Sequence, residues 1–273
     1  MKEKIIIAAI ASVAALSASG CGDGNLPMEN SGVEESLSED VSEQSVQSPQ
    51  EEDAEDAEEA VTVYIKYVKV TADGVNIRGG AGTGYSVYGS AEKDTLYACI
   101  GETDGWFKIR YLNSTAYISK NYAELCEMAA SDKMAVESVI EEGTKLLGTE
   151  YVYGAVRYCD GDGNLNKNFT ASAFDCSSLT QYIFYKGAGV LLDVTTRTQV
   201  LQGEGVAKED IQRGDLLFFT NSSRVNNTGI ERIGHVALYL GDNMILHTSS
   251  DYAKIEEISS QRWSYFICAR RMV

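Results

Sequence analysis

Phe174-Asp175-Cys176-Ser177-Ser178 opens the stretch on which the fold turns. Leu179, Tyr182 and Ile183 follow at helical spacing, and Gly187 and Gly189 stand where the pattern stops. The spacing predicts a helix from Cys176 to about Lys186. A cysteine at a helix start meets unpaired amides and the positive end of the macrodipole, and both favour thiolate over thiol. Thiolate is the nucleophile that a cysteine hydrolase needs. Taken alone, such a cysteine is more often a buried packing residue.

The two histidines change that balance. Both fall within Gly234-His235-Val236-Ala237-Leu238-Tyr239-Leu240-Gly241-Asp242-Asn243-Met244-Ile245-Leu246-His247. The segment reads as strand, turn, strand, and a hairpin turning near 241–243 brings the rings roughly abreast. One histidine then serves as base and the other orients it, the logic of a catalytic triad. Two structural histidines are the plainer alternative, more so for His247. A zinc site built from Cys176, His235 and His247 is the chemical rival.

Upstream, an apolar periodicity over 131–147 predicts a helix with Ser131 as its N-cap. Tyr151-Val152-Tyr153-Gly154 follows. Over residues 62–123 short alternating runs at 68–70, 75–78, 96–101, 106–111 and 116–118 lie between Gly-rich turns. That pattern predicts a small all-β barrel with Trp106 in its core. A join over 124–130 is too short for the two parts to tumble independently.

Composition divides the chain again. All aromatic residues lie after residue 63, and both prolines, Pro27 and Pro49, lie before it. Residues 22–60 hold 14 acidic and no basic side chains, most of the net charge of −17. Such a segment cannot bury enough apolar surface to fold and reads as a disordered acidic tether. The remaining near-balanced charge excludes nucleic acid as a partner. Residues 1–20 run basic, apolar, small, the order of an export signal, and the apolar run is too short to span a bilayer. Cys21 follows Ala18-Ser19-Gly20, which resembles a bacterial lipobox, although Ala18 stands where that motif usually has Leu. The resemblance implies lipidation of Cys21.

Two further resemblances rest on motifs. Gly74-Val75-Asn76-Ile77-Arg78-Gly79-Gly80, Asp104-Gly105-Trp106-Phe107 and Ala116-Tyr117-Ile118 resemble a bacterial SH3-type domain, a module that binds cell-wall peptides or positions a catalytic neighbour. Phe174-Asp175-Cys176-Ser177-Ser178, Arg213-Gly214-Asp215-Leu216-Leu217-Phe218-Phe219 and Gly234-His235…His247 occur in the order found in NlpC-type cell-wall peptidases. That resemblance spans 130–273 and implies an α+β papain-like domain that cuts the γ-D-glutamyl–diamino acid bond of wall stem peptides without a cofactor. It implies Cys176 as nucleophile, His235 as base and His247 as the orienting residue. It also implies that Tyr153 lies near the oxyanion and that Asp175 and Ser177 grip substrate. The family usually has Gly at Ser178 and Pro at Arg213.

The expected molecule is an exported monomer that acts on peptidoglycan, anchored by lipid to the outer face of the membrane or else secreted to the cell wall. A non-catalytic wall-binding lipoprotein is the alternative. Residues 160–168 hint at a calcium loop, but Leu165 and Ala171 replace the required Gly and Glu, so the segment reads as a polar loop. Arg197 is a candidate for a substrate carboxylate or for an ion pair. Cys99, Cys126, Cys159 and Cys268 are expected to be mostly free thiols.

Overall fold

The computed structural model describes residues 62–273 and the backbone of residues 5–7. The rest of the predicted export segment, Cys21 and the acidic tether at 22–60 lie outside the described residues. Ile5–Ile7 forms a short strand, β1, parallel to the start of β2 (Val63–Val70).

The all-β part continues with β3 (Val75–Arg78), β4 (Val87–Ala91), β5 (Leu96–Thr103), β6 (Trp106–Tyr111), β7 (Ser114–Ser119) and β8 (Ala123–Ala129). Strand β2 pairs with β8 and β5, and antiparallel pairing runs on through β6, β7, β3 and β4. Alternation drives the packing. In β6 Phe107, Ile109 and Tyr111 are buried while Trp106, Lys108 and Arg110 are not.

Two sequence expectations change here. The segment read as a join is mostly β8, in register with β2 from Tyr64↔Ala129 to Val70↔Ala123. Its alternation is hard to see in the sequence because Glu124 and Glu127 interrupt Leu125, Cys126 and Met128. Trp106, expected in the core, is only half-buried. It lines a polar cavity of about 430 Å³ with Asp73, Asn76, Arg78 and Asn121.

The second part runs α1 (Met134–Lys145), β9 (Glu150–Tyr151), β10 (Ala173–Phe174), α2 (Cys176–Ala188), α3 (Thr196–Gln199), β11 (Glu204–Val206), β12 (Leu216–Phe219), β13 (His235–Gly241), β14 (Met244–Ser249), β15 (Tyr252–Glu257), α4 (Ser260–Ser264) and β16 (Phe266–Arg271). Its sheet has the order β11-β16-β12-β13-β14-β15 and is antiparallel throughout. Helices on an antiparallel sheet make this an α+β domain. Central strand β12 is buried at all four positions, each worth roughly 1.5–3 kcal/mol of apolar burial.

Helix α1 begins later than expected. Lys133 is its N-cap, while Ser131 Oγ accepts from the Lys133 amide and the Ser131 amide donates to Glu137. Helix α2 runs through Gly187 and stops at Gly189, whose φ of +68° closes it. Gly187 serves packing instead. A Cβ there would strike the Val139 backbone, so its absence lets α1 and α2 approach closely.

A seam joins the two parts. Ile255 of β15 pairs with Leu96 of β5, and Lys254 bonds Glu92 at 3.1 Å. Buried Arg213 holds Glu137 at 2.6 and 2.8 Å, the Leu240 carbonyl at 2.6 Å and the barrel's Tyr67 hydroxyl at 3.1 Å. Arg213, where the resemblance leads to an expectation of proline, is therefore a clamp.

Candidate active site

Asp175 creates the local geometry around Cys176. It is the N-cap of α2 and forms a reciprocal capping box with Ser178: Ser178 N donates to Asp175 Oδ1 at 2.9 Å and Asp175 N donates to Ser178 Oγ at 2.9 Å. Ser177 Oγ also donates to Oδ1, at 3.1 Å. Oδ2 accepts from Gly154 N at 3.1 Å and from Arg157 at 2.8 Å. Both carboxylate oxygens are thus occupied by two internal donors each. Asp175 and Ser177, expected to grip substrate, are buried at the helix start, where they brace it, and both also line the lobe around Cys176. The physical reason is that a charge at an N-cap is drawn to the amides and to Arg157.

Cys176 is half-buried, at the first turn of α2 and against the start of β13. The backbone amides of Val236 and Ser177 favour its thiolate. Burial and the Asp175 charge outweigh these amides and Arg157, and push the thiol up from 9.0 to about 11. The helix-start argument predicted the opposite direction. The amides are there, but removal of the sulfur from water matters more.

The predicted hairpin forms, turning at Asp242 and Asn243, both with positive φ. Leu238 faces Leu246, so continuing the register puts His247 opposite Ala237, one diagonal step from His235. That step brings the rings together. His235 Nε2 and His247 Nδ1 are 3.0 Å apart, with the ring planes at 82°. His247 Nε2 lies 2.9 Å from Glu256 Oε1, and Arg262 reaches the same oxygen at 3.0 Å. Burial lowers the pKa of both imidazoles, that of His235 well below its ordinary value, and Arg262 adds to both shifts. Both rings are held neutral.

The cleft has two lobes that share Tyr151, Asn221 and Gly234. One, of about 480 Å³, surrounds Cys176 and carries Arg157, Arg197 and Arg224. The other, of about 500 Å³, lies on the His235 side and carries Arg262. Arg197 and Arg224 both contact exposed Glu231, at 3.4 and 3.2 Å. All residues lining the lobes come from 151–265, so the barrel lines neither.

Tyr153 is 84% exposed on the rim of the Cys176 lobe. Its neighbour Tyr151 is the tyrosine that lines both lobes. Strand β9 ends at Tyr151, so the inward position is one alternation earlier than expected. Tyr151, Arg157, Glu256 and Arg262 are the site residues that the sequence reading missed. Among the described residues no three His, Cys, Asp or Glu side chains converge to hold a metal. The five described cysteines are all free. In the loop at 160–168, Asp160 accepts from Asp162 N, Asn164 N and Asn164 Nδ2, which closes a local turn.

Comparison with known proteins follows the same division. Residues 148–272 match the NlpC/P60 family, and residues 73–124 match the bacterial SH3 domain. The chain is 30% identical over 150 residues to the γ-DL-glutamyl hydrolase of Bacillus subtilis, covering 55% of this chain and 32% of that protein. It is 26% identical over 179 residues to the γ-D-glutamyl-L-lysine dipeptidyl-peptidase of the same organism, covering 65% and 53%. The chain therefore spans about half the length of these relatives or less. A solved NlpC/P60 family protein from Bacillus cereus aligns over 76% of this chain and 63% of its own, with 22% identity and a TM-score of 0.41. Residues 148–272 thus resemble an NlpC/P60 domain, and residues 73–124, ahead of them, a bacterial SH3 domain.

Proposed function

We propose that the protein is a cysteine peptidase that hydrolyses stem peptides of bacterial peptidoglycan at the γ-D-glutamyl–diamino acid bond. One observation carries this reading: Cys176 sits at the start of α2 against the first residues of β13, where His235 is backed by His247 at 3.0 Å. A neutral thiol and a neutral imidazole that line adjoining lobes of one cleft supply a nucleophile and a base. His235 Nε2 is engaged, so Nδ1 is the nitrogen left for the thiol.

The Cys176 sulfur attacks the scissile carbonyl as its proton passes to His235 Nδ1. The Cys176 backbone amide at the helix start stabilises the oxyanion. The imidazolium then protonates the leaving amine, and a thioester remains. Water, deprotonated by His235, cleaves the thioester and releases the new carboxylic acid and the thiol. Arg197 and Arg224, which line the cysteine's lobe and among the described residues share only the exposed Glu231 as ion-pair partner, suit a substrate with a carboxylate near the scissile bond. A γ-linked glutamyl residue keeps its α-carboxylate free and meets that requirement.

Incubation of the full chain with defined muropeptides, read by mass spectrometry, tests the reading. The expected products are cut between D-glutamate and the diamino acid, and Cys176→Ala yields none. If the active protein leaves every stem peptide intact, the reading fails and a peptide-holding role replaces it. Export and lipidation at Cys21 belong to the same proposal, and place the enzyme at the outer membrane face. Cys21→Ala is expected to move the protein from the membrane fraction to the soluble fraction.

A further inference from the structure

The catalytic geometry extends past His247 to a carboxylate that the three-residue reading does not use. Glu256 lies on β15, and its Oε1 is 2.9 Å from His247 Nε2 and 3.0 Å from the Arg262 guanidinium. Its Oε2 faces Lys254 at 3.7 Å, and Lys254 is itself held by Glu92 and Asp251. The titratable and charged groups around it are His247 on β14, Lys254 on β15 and Arg262 on α4. Burial alone would raise the Glu256 pKa, but His247, Lys254 and Arg262 outweigh it and hold the carboxyl at about 2.

We propose that Glu256 is a positioning residue that sets the tautomer of the catalytic base through His247. The inference rests on the peptidase reading for its rate consequences. An ionised carboxylate only accepts hydrogen bonds, so His247 Nε2 must carry a proton. His247 is neutral, so its Nδ1 is then bare and accepts. The 3.0 Å contact therefore requires that His235 Nε2 donate. His235 is neutral too, so its Nδ1 is left as a lone pair, the state that takes a proton from Cys176. Each link follows from the one before, and the first is Glu256. A protonated His247 would reverse the middle link, since both its nitrogens would donate. His235 would then carry its proton on Nδ1 and could not act as base. Arg262, which shares the carboxylate, disfavours that second positive charge.

Only two histidines occur in the chain, so imidazole labelling gives an uncluttered readout. The full chain is labelled with 15N-histidine, and long-range proton–nitrogen correlation is recorded at about pH 7. Both rings are expected to carry their proton on Nε2. A proton on Nδ1 of His235 would overturn the proposal with no mutation needed. In Glu256→Ala a His235 population protonated on Nδ1 is expected. kcat should fall at least about tenfold with KM within about twofold, because misdirected general-base catalysis loses part of its 10²–10⁴-fold effect. Glu256→Gln keeps an acceptor and is expected to hold the tautomer and more of the rate. Wild-type tautomer and rate in Glu256→Ala, or equal losses in both variants, would also overturn the proposal. Failure of the peptidase reading looks different: the unaltered protein turns over nothing, while its tautomer spectrum is still readable.

Discussion

The two flanks of the cleft are built on opposite plans. On the cysteine flank, residues close in sequence make a closed network. Asp175, Ser177 and Ser178 belong to one helix start, and Arg157 seals it through Asp175, Ser177 Oγ and two carbonyls. On the histidine flank a single file of hydrogen bonds crosses from β13 to β14 to β15 and ends at α4. The first flank is a brace, with every polar atom used to fix a position. The second is a conductor of orientation, in which each partner dictates where the next proton sits. Damage should therefore appear as lost stability on one side and lost rate on the other.

The largest effect separates chemistry from both. Cys176→Ser is expected to lower kcat at least about a thousandfold with no change in melting temperature, since one atom changes and a hydroxyl is a far poorer nucleophile here. His235→Ala should match it. Steady-state turnover of a muropeptide together with thermal melting checks both, and retained activity in His235→Ala would remove the base assignment.

Asp175→Ala should then act mainly on the fold. It removes an N-cap and the carboxylate partner of the partly buried Arg157, at a cost of about 2–3 kcal/mol. Denaturant unfolding reads this directly. A rate loss with unchanged stability would instead return Asp175 to the substrate-gripping role.

The same contrast explains what the sequence made legible. The cysteine flank is local: a cysteine, an acidic cap and a helical period within ten residues announce a helix start. The hairpin is equally readable, because Gly241-Asp242-Asn243 is turn chemistry between apolar strands. Glu256 is not. It sits in Tyr252-Ala253-Lys254-Ile255-Glu256-Glu257, where alternating charges describe an ordinary solvent-facing strand. Only pairing with β14 puts it beside His247. The place of Asp175 is legible but its role is not, since its four donors become visible only when Gly154 and Arg157 fold over it. Tyr151 and Tyr153 share a strand face in an ideal pattern, and the end of β9 between them decides which one lines both lobes.

A sharper test concerns the charge state of the cysteine flank. Burial and Asp175 push the thiol up to about 11, so below that pH the resting nucleophile is a thiol. Alkylation of Cys176 by iodoacetamide is therefore expected to keep rising, about tenfold per pH unit, through pH 8 to 10. A plateau below pH 7 would mean a pre-formed thiolate–imidazolium pair and overturn the neutral resting state. The linkage has a definite sign. The folded thiol holds its proton longer than the unfolded one, so its contribution to stability is full below about pH 9 and declines as pH rises toward about 11.

The smallest expected effect bears on the departure from the family at Ser178. Ser178→Gly would restore the family's usual residue. In this chain Ser178 Oγ is the acceptor for the Asp175 amide at 2.9 Å, and the site is fully buried. Glycine removes that acceptor and loosens the first turn, while Asp175 keeps its own bond to the residue 178 amide. The lost hydrogen bond and the glycine penalty together should cost about 1–2 kcal/mol. The rate should stay within about twofold, because the sulfur, its amides and both histidines are untouched. Urea unfolding and muropeptide turnover measured side by side decide the matter. If stability holds and turnover falls, the helix start is part of the chemistry and not its scaffold, and the division between the two flanks breaks at that residue.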